Sequence, residues 1–310
     1  MKIESILCPT DLSPDSDEAL RYAIALAKAY NAQLILLHCE TGTVSLGSNA
    51  HELAAKRIIE ALVEYSGASD VSGLDWKSLI VTGDDPGEVI AREAAIYRVD
   101  LIVMRSRRRP HRAALLGSTA ESVSRLAPCP VLVMHTDEHG WVSATDDIDL
   151  KRVLVANDFS DYSELALSYA LALSQEYQSE LHLLHVMPPS TVTESEISWY
   201  PLGQESAYHK AAHRLQRAVP PEAHLWCEIT HAVSQGKPYR EILSYAEKHK
   251  IDLICIGAHG AEFGMQTLFG SNVDRVLRQA PCPVLVSRPL RPAAFVPAKT
   301  SREVAATASL

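Results

Sequence analysis

One segment of the sequence combines glycines and a hydroxyl group at a spacing that suits a bound phosphate. Gly257 and Gly260 follow a short apolar run, and Gly270, Ser271 and Asn272 come nine residues later, where a helix is predicted to open. Glycine lets the backbone approach an anion closely, and the first turn of a helix offers N–H groups and a favourable dipole. The pattern predicts a phosphate-binding loop. Turn glycines with a capping serine are the structural alternative.

Two further candidates stand at the ends of predicted strands in the same half of the chain. Asp158 ends the first strand, where its carboxylate could accept hydrogen bonds from ribose hydroxyls or act as the N-cap of the helix near Ser160. The second strand ends at His185 and Val186, where a backbone edge could meet an adenine. Ligands of open α/β sheets bind beyond the carboxyl ends of the strands, so we expect these residues to meet the glycine loop there.

The same segment is poor in groups that catalyse phosphoryl transfer. No lysine lies between Gly257 and Ser271, and His259 is the only side chain there that could act near pH 7, unless it points to solvent. A G-x-x-x-x-G-K-[ST] loop is absent, and the 13 histidines show no metal-ligand spacing. We therefore predict no catalytic residue and no metal site, and at most weak hydrolysis of a bound phosphate ester.

The elements that position these residues occur twice, because the chain repeats one pattern of about 150 residues. The heptapeptide APCPVLV occupies 127–133 and again 280–286, and V-D-L-I-V-M at 99–104 matches I-D-L-I-C-I at 251–256. Asp158 lies 147 residues after Asp11, and Ala280 lies 153 residues after Ala127. This slow drift is typical of two copies of one domain with small loop insertions.

Short apolar strands alternate with helices within each copy. The first copy predicts strands near 3–9, 33–39, 76–81, 101–104 and 131–135, and helices over 14–30, 51–65, 86–97 and 117–126. The second predicts strands near 152–157, 180–186, 224–230, 252–256 and 283–287. Such alternation favours a parallel sheet covered on both faces, so we predict two tandem doubly wound α/β domains. Their predicted bounds are 1–136 and 151–288, with a linker at 137–150 and a disordered tail at 289–310.

Two segments differ between the copies. Residues 188–204 contain Pro188, Pro189, Pro201 and Gly203 without a strand pattern, so they are interpreted as a disordered loop or as a lid over the ligand site. In the first copy, Arg105 and Arg108 replace the two loop glycines, and five arginines fall within 105–112. That site is predicted to be degenerate. Its arginine cluster is a solvated loop, a contact for an acidic partner or an anion site.

Composition excludes several functions. The 29 Lys and Arg against 38 Asp and Glu give a formal charge of −9, which disfavours binding to nucleic acid or anionic membranes. No apolar run is long enough to span a membrane, and the start shows no signal-peptide pattern. The six cysteines form no CxxC pair and several lie in apolar runs, so we predict buried free thiols in a reducing cytoplasm.

The strand-end aspartates, the APCPVLV repeat and the G-2x-G-9x-G-S loop resemble the universal stress protein (UspA) family in its tandem form. The resemblance implies a five-stranded parallel sheet of order 3-2-1-4-5 in each copy, and an internal pseudo-dimer with the last strands near the shared interface. Its ATP-binding members imply a site made of Asp158, Val186, Gly257, Gly260, Gly270 and Ser271. Such members often carry a hydroxyl residue where this chain has Val273, and Asn272 could compensate. Mg²⁺ would accompany the ATP.

Three functions remain open at this stage. The first is a stress-response sensor or switch that binds one ATP in its second domain. The second is a slow ATPase or a phosphoryl-transfer enzyme. The third is a nucleotide-independent interaction module, with protein partners reached through residues 105–112 and with further homodimerisation as an additional possibility.

Overall fold

The computed structural model describes residues 2–41, 48–65, 73–106, 117–134, 140–143, 146–189, 201–259 and 270–288. These residues form two compact units: unit 1 runs to Asp149 and also takes in Arg288, and unit 2 runs from Leu150 to Ser287. Each unit is a doubly wound α/β domain, which confirms the predicted fold class. The predicted packing of the two copies as a pseudo-dimer stays a prediction.

Unit 1 contains five parallel strands and four helices. In chain order they are β1 (Ser5–Thr10), α1 (Pro14–Tyr30), β2 (Gln33–Glu40), α2 (Ser48–Tyr65), β3 (Trp76–Thr82), α3 (Pro86–Ile96), β4 (Leu101–Arg105), α4 (Ser118–Leu126) and β5 (Val131–Met134). The strands pair in the order β3-β2-β1-β4-β5, all in parallel. This is the predicted 3-2-1-4-5 order, with its reversal point between β1 and β4.

Unit 2 repeats this arrangement. Its elements are β6 (Arg152–Ala156), α5 (Asp161–Tyr177), β7 (Glu180–Met187), α6 (Pro201–Ala218), a short 3-10 helix (Pro221–Leu225), β8 (Ile229–Gln235), α7 (Pro238–Lys248), β9 (Leu253–Gly257), α8 (Ser271–Gln279) and β10 (Val284–Ser287). The strands pair in parallel in the order β8-β7-β6-β9-β10, so the reversal point lies between β6 and β9.

The repeated valine-aspartate and isoleucine-aspartate pairs have a structural role that explains their recurrence. Asp100 accepts hydrogen bonds from the backbone N–H groups of Glu4 and Ser5, at 2.8 and 3.1 Å. Asp252 does the same for Lys151 and Arg152, at 3.1 and 2.8 Å. In each unit one carboxylate therefore ties the start of the fourth strand to the start of the first, and satisfies donors that would otherwise lack partners.

The third strand of unit 2 corrects the prediction, because it runs from Ile229 to Gln235 and not near 224–230. The preceding residues form the 3-10 helix instead, with the N–H of Ala223 donating to the carbonyl of Pro220 at 3.0 Å. Pro220 and Pro221 lack backbone donors, so this stretch cannot join the sheet as a regular strand. The apolar residues around Trp226 have the sequence pattern of a strand, but they do not form a strand.

The predicted loop at 188–204 is also shorter than expected, because α6 begins at Pro201. Proline fits the first turn of a helix, where its missing N–H removes no intrahelical bond. Residues 190–200 and the predicted tail from 289 onward lie outside the described residues.

The segment predicted as a polar linker packs against unit 1. Its Trp141 is buried and meets Tyr22 of α1 edge to face, with ring centroids 4.7 Å apart. The backbone N–H of Trp141 also donates to the Tyr22 hydroxyl at 2.9 Å, and Val142 bridges to Ile148. The polar composition of 137–150 did not predict these contacts, because they involve only a few of its apolar residues.

The core of each unit consists of apolar strand residues between two helical layers. All six cysteines are free, as predicted, and five of them are buried, while Cys39 is half-buried. Burial raises the pKa of Cys8 and of Cys129 to about 12, so both are protonated at neutral pH. Within the described part of the chain, no helix is both long and apolar enough for a bilayer span.

Candidate functional site

A cavity of about 270 Å³ lies beyond the carboxyl ends of β6, β7 and β9 in unit 2. Of the site residues predicted from the sequence, the cavity is lined by Asp158, Val186, Gly257, Gly270, Ser271 and Asn272. Gly260 lies outside the described residues. The volume is near the lower end for small-molecule sites, and the position is the strand-order reversal at which ligands of this architecture bind.

One wall of the cavity is apolar, and of its residues only Val186 was predicted from the sequence. It consists of Leu184, Val186 and Pro188 at the end of β7, Pro238 and Ile242 on α7, Ile256 on β9 and Val273 on α8. Leu184 and Val186 alternate along β7 and so share a face, and Pro238 and Ile242 are one helical turn apart. These two periodicities were the available signal. A flat aromatic group suits such a wall.

The N-terminus of α8 also lines the cavity. Gly270 is the N-cap and makes no side-chain capping bond, and Asp274 N–H is the first to donate within the helix, to the Gly270 carbonyl at 3.0 Å. The preceding N–H groups of Ser271, Asn272 and Val273 therefore have no intrahelical acceptor. With the helix dipole they favour an anion at this point.

The two described glycines of the predicted loop have different physical roles. A Cβ added to Gly257 would lie 2.7 Å from the backbone carbonyl carbon of Tyr162 on α5, so this glycine is required for packing the helix on the strand. The prediction that it exists to admit a phosphate is incomplete for that reason. A Cβ on Gly270 would meet nothing closer than 3.4 Å, which is ordinary contact. Only Gly270 is free of an internal packing requirement.

Asp158 holds the turn that leads from β6 into α5. Its Oδ1 accepts from the Ser160 N–H at 3.1 Å and from the Ser160 hydroxyl at 2.6 Å, while Ser160 itself is the N-cap, accepting from the Ser163 N–H at 3.3 Å. The alternative that Asp158 is the N-cap is therefore wrong. Unit 1 repeats these bonds between Asp11 and Ser13, so they belong to the shared turn.

Asn157 is a cavity residue that the sequence interpretation did not select. It is 3% exposed and directly follows β6, and its carbonyl accepts from Nδ1 of His185 at 2.8 Å. That bond fixes the His185 tautomer, because a backbone carbonyl only accepts. His38 makes the equivalent bond to the Thr10 carbonyl in unit 1, at 3.0 Å. The strand-end histidines are therefore structural in both units.

His259 lines the cavity but is buried and does not point to solvent. It is 8% exposed, and its ring meets that of Tyr162 edge to face, with centroids 5.0 Å apart. The cavity lining therefore includes both an ionisable ring and the N-terminus of α8. Among the described residues, no group of three or more His, Cys, Asp or Glu side chains is arranged to hold a metal ion.

The residue of unit 1 that corresponds to Gly257 is an arginine whose side chain is largely buried. Arg105 stands where unit 2 has Gly257, and its side chain is 9% exposed, with a guanidinium nitrogen 3.3 Å from a carboxylate oxygen of Glu18 on α1. The first arginine of the 105–112 cluster is thus turned inward and paired, which corrects the interpretation of the whole cluster as a surface loop. Residues 107–116 lie outside the described part of the chain.

Comparison with known proteins identifies the family of the chain. Residues 2–135 and 149–288 each match the model of the universal stress protein family. The chain therefore belongs to the universal stress protein family, in a form with two tandem domains.

A universal stress protein of Mycolicibacterium smegmatis is 28% identical over 302 residues, covering 92% of this chain and 97% of that protein. Universal stress protein MJ0531 of Methanocaldococcus jannaschii is 30% identical over 138 residues, covering 44% and 81% respectively. The crystal structure of a universal stress protein from Archaeoglobus fulgidus DSM 4304 superposes with a TM-score of 0.68 at 24% identity, covering 93% of this chain and 99% of that one. The last likeness shows that the two proteins share the fold.

Proposed function

We propose that this universal stress protein binds one adenine nucleotide, ATP, in the cavity of unit 2, and that occupancy of this site is the signal it transmits. The observation that carries the proposal is the convergence of Asp158, Val186, Gly270, Ser271 and Asn272 on one cavity from three different parts of the fold. The apolar wall takes the base, the Asp158 carboxylate faces the ribose, and the phosphates lie at the N-terminus of α8.

Binding without rapid chemistry is the expected behaviour of this site. The described lining contains no lysine or arginine to neutralise the terminal phosphate. Mg²⁺ would enter the site bound to the nucleotide, because the described residues form no cluster of metal ligands. Among the described lining residues, His259 carries the only imidazole, which is the side chain most often used as a general acid or base. Slow hydrolysis is the second candidate activity, and loss of the residual turnover in His259→Ala would assign it to this ring. Cytoplasmic localisation stays a prediction.

The proposal can be tested by placing one negative charge at the α8 N-terminus. Ser271→Asp sets a carboxylate beside the proposed phosphates, and we expect ATP affinity to fall at least about tenfold through repulsion. The same carboxylate favours the helix itself, because acidic groups near a helix N-terminus are stabilising. Loss of binding therefore cannot be attributed to unfolding.

A matched control exists in unit 1, where Ser118 occupies the same first position of α4 after Gly117. Ser118→Asp should leave ATP binding unchanged, as measured by isothermal titration calorimetry. Equal losses in the two variants, or no loss in Ser271→Asp, would contradict the proposed site.

A further inference from the structure

The amide group of Asn157 is oriented by its own hydrogen bonds. Its Oδ1 accepts from the Phe159 N–H at 2.8 Å and from the Ser163 hydroxyl at 3.5 Å. Since a backbone N–H only donates, the oxygen must occupy this side, and the NH₂ group must occupy the other. Asn157 Nδ2 is buried and has no hydrogen-bond partner among the described residues.

An unpartnered buried amide is costly, and unit 1 demonstrates that the turn does not need it. Thr10 replaces Asn157 there, and its Oγ1 accepts from the Leu12 N–H at 3.0 Å and bonds to the Ser16 hydroxyl at 2.9 Å. One side-chain oxygen therefore satisfies the turn in both units. The NH₂ group of Asn157 is an additional donor that Thr10 of unit 1 does not provide, and Asn157 is one of the residues that line the cavity of unit 2.

We propose that Asn157 reads the base of the bound nucleotide, its Nδ2–H donating a hydrogen bond to a ring nitrogen of adenine. This inference rests on the proposed nucleotide site and adds the group that selects the base. Asn157 follows directly after Ala156 at the end of β6 and lines the cavity together with Leu184 and Ile256, which are neutral surfaces suited to a flat ring.

Other parts of the nucleotide fit this donor less well. A phosphate near Asn157 would meet the Asp158 carboxylate of the next residue, which repels it, whereas the α8 N-terminus attracts it. The ribose hydroxyls can donate hydrogen bonds, and the Asp158 carboxylate can accept them. The ring nitrogens N1, N3 and N7 of adenine are acceptors without charge, and one of them matches a buried neutral donor.

The test is a double-mutant cycle between Asn157→Thr and three ATP analogues, 1-deaza-, 3-deaza- and 7-deaza-ATP, each lacking one ring nitrogen. Asn157→Thr copies unit 1, so it keeps the oxygen that accepts from the Phe159 N–H and removes only the amide donor. We expect the variant to bind ATP about tenfold more weakly by calorimetry. Its thermal stability without ligand should be unchanged or higher.

One deaza analogue should bind the wild-type protein about tenfold more weakly than ATP and be insensitive to Asn157→Thr, because both changes remove the same bond. A uniform loss for ATP and all three analogues would overturn the inference, and so would an unchanged ATP affinity in the variant. Failure of the wild-type protein to bind ATP would instead refute the proposed function, so the two failures are distinguishable.

Discussion

The two units share one fold and differ at the place where a ligand would bind. In unit 2 the fourth strand ends in Gly257 beside an open cavity, whereas in unit 1 it ends in Arg105, whose guanidinium is paired with Glu18. The turn aspartates, the strand-end histidines and the glycine that caps the last helix are present in both. These shared features maintain the architecture of both units, so a difference in ligand binding between the units has to come from the residues that differ.

This comparison also separates what the sequence could predict from what it could not. The repeat and the residues Asp158, Val186, Gly270, Ser271 and Asn272 followed from motifs and alternation, because these local patterns determine which elements form and where their ends meet. The strand order followed only from the resemblance to the universal stress protein family. The packing role of Gly257 did not follow, since it depends on the backbone of Tyr162, far away in the sequence.

The cavity wall and the role of Asn157 were out of reach for the same reason. Pro238 and Ile242 face Leu184 only after α7 crosses back over the sheet, and the sequence shows them as ordinary helix residues. The amide of Asn157 becomes informative only when its oxygen is seen to be bonded and its nitrogen is not. Arg105 likewise looked like one of five surface arginines until its partner Glu18 was identified.

The largest expected effect comes from substituting the two glycines with serine. Gly257→Ser forces a Cβ to within 2.7 Å of the Tyr162 backbone, so we expect about 1–3 kcal/mol of destabilisation of unit 2. Gly270→Ser adds a Cβ at ordinary contact distance and a preferred N-cap side chain, so its stability should be unchanged or slightly higher. Urea unfolding of both variants provides the measurement. Equal destabilisation would mean that the two glycines share one packing role.

A smaller effect should appear in the pH dependence of stability. Burial, and then the neighbouring His249, lower the pKa of His182, and burial likewise lowers the pKa of His231. His182 Nδ1 lies 3.0 Å from the Tyr245 hydroxyl, and its Nε2 lies 3.7 Å from Glu180. As the pH falls below about 6.5, these histidines become protonated in the unfolded chain but stay neutral in the folded unit. The free energy of unfolding therefore decreases with falling pH until the lower pKa of the folded state is reached.

Unit 1 carries Ile35 and Ser78 at the strand positions that match His182 and His231, so it has no titratable side chain at either position. His182→Ile should therefore flatten the loss of unfolding free energy between pH 7 and pH 5.5. Each proton bound only by the unfolded chain contributes a slope of at most about 1.4 kcal/mol per pH unit. Denaturant titrations at several pH values measure this slope, and an unchanged slope in the variant would contradict the assignment to His182.

The smallest expected effect comes from a cysteine introduced as a chemical probe. Cys39 occupies the position in β2 of unit 1 that Val186 occupies in β7 of unit 2, and both residues are half-buried. We expect Val186→Cys, made in a Cys39→Val background, to be alkylated by iodoacetamide and to be protected by ATP. The native Cys39 should react at a rate that ATP does not alter. Protection of both thiols, or of neither, would remove the distinction between the two units.

The central claim is that one nucleotide binds, in unit 2 alone. Titration of the full chain with ATP and Mg²⁺ in a calorimeter measures this directly, because it reports the number of sites together with their affinity. We predict one site per chain in the wild-type protein, retained in Ser118→Asp and lost or strongly weakened in Ser271→Asp. Two equivalent sites per chain, or one site that survives Ser271→Asp and disappears in Ser118→Asp, would contradict the account.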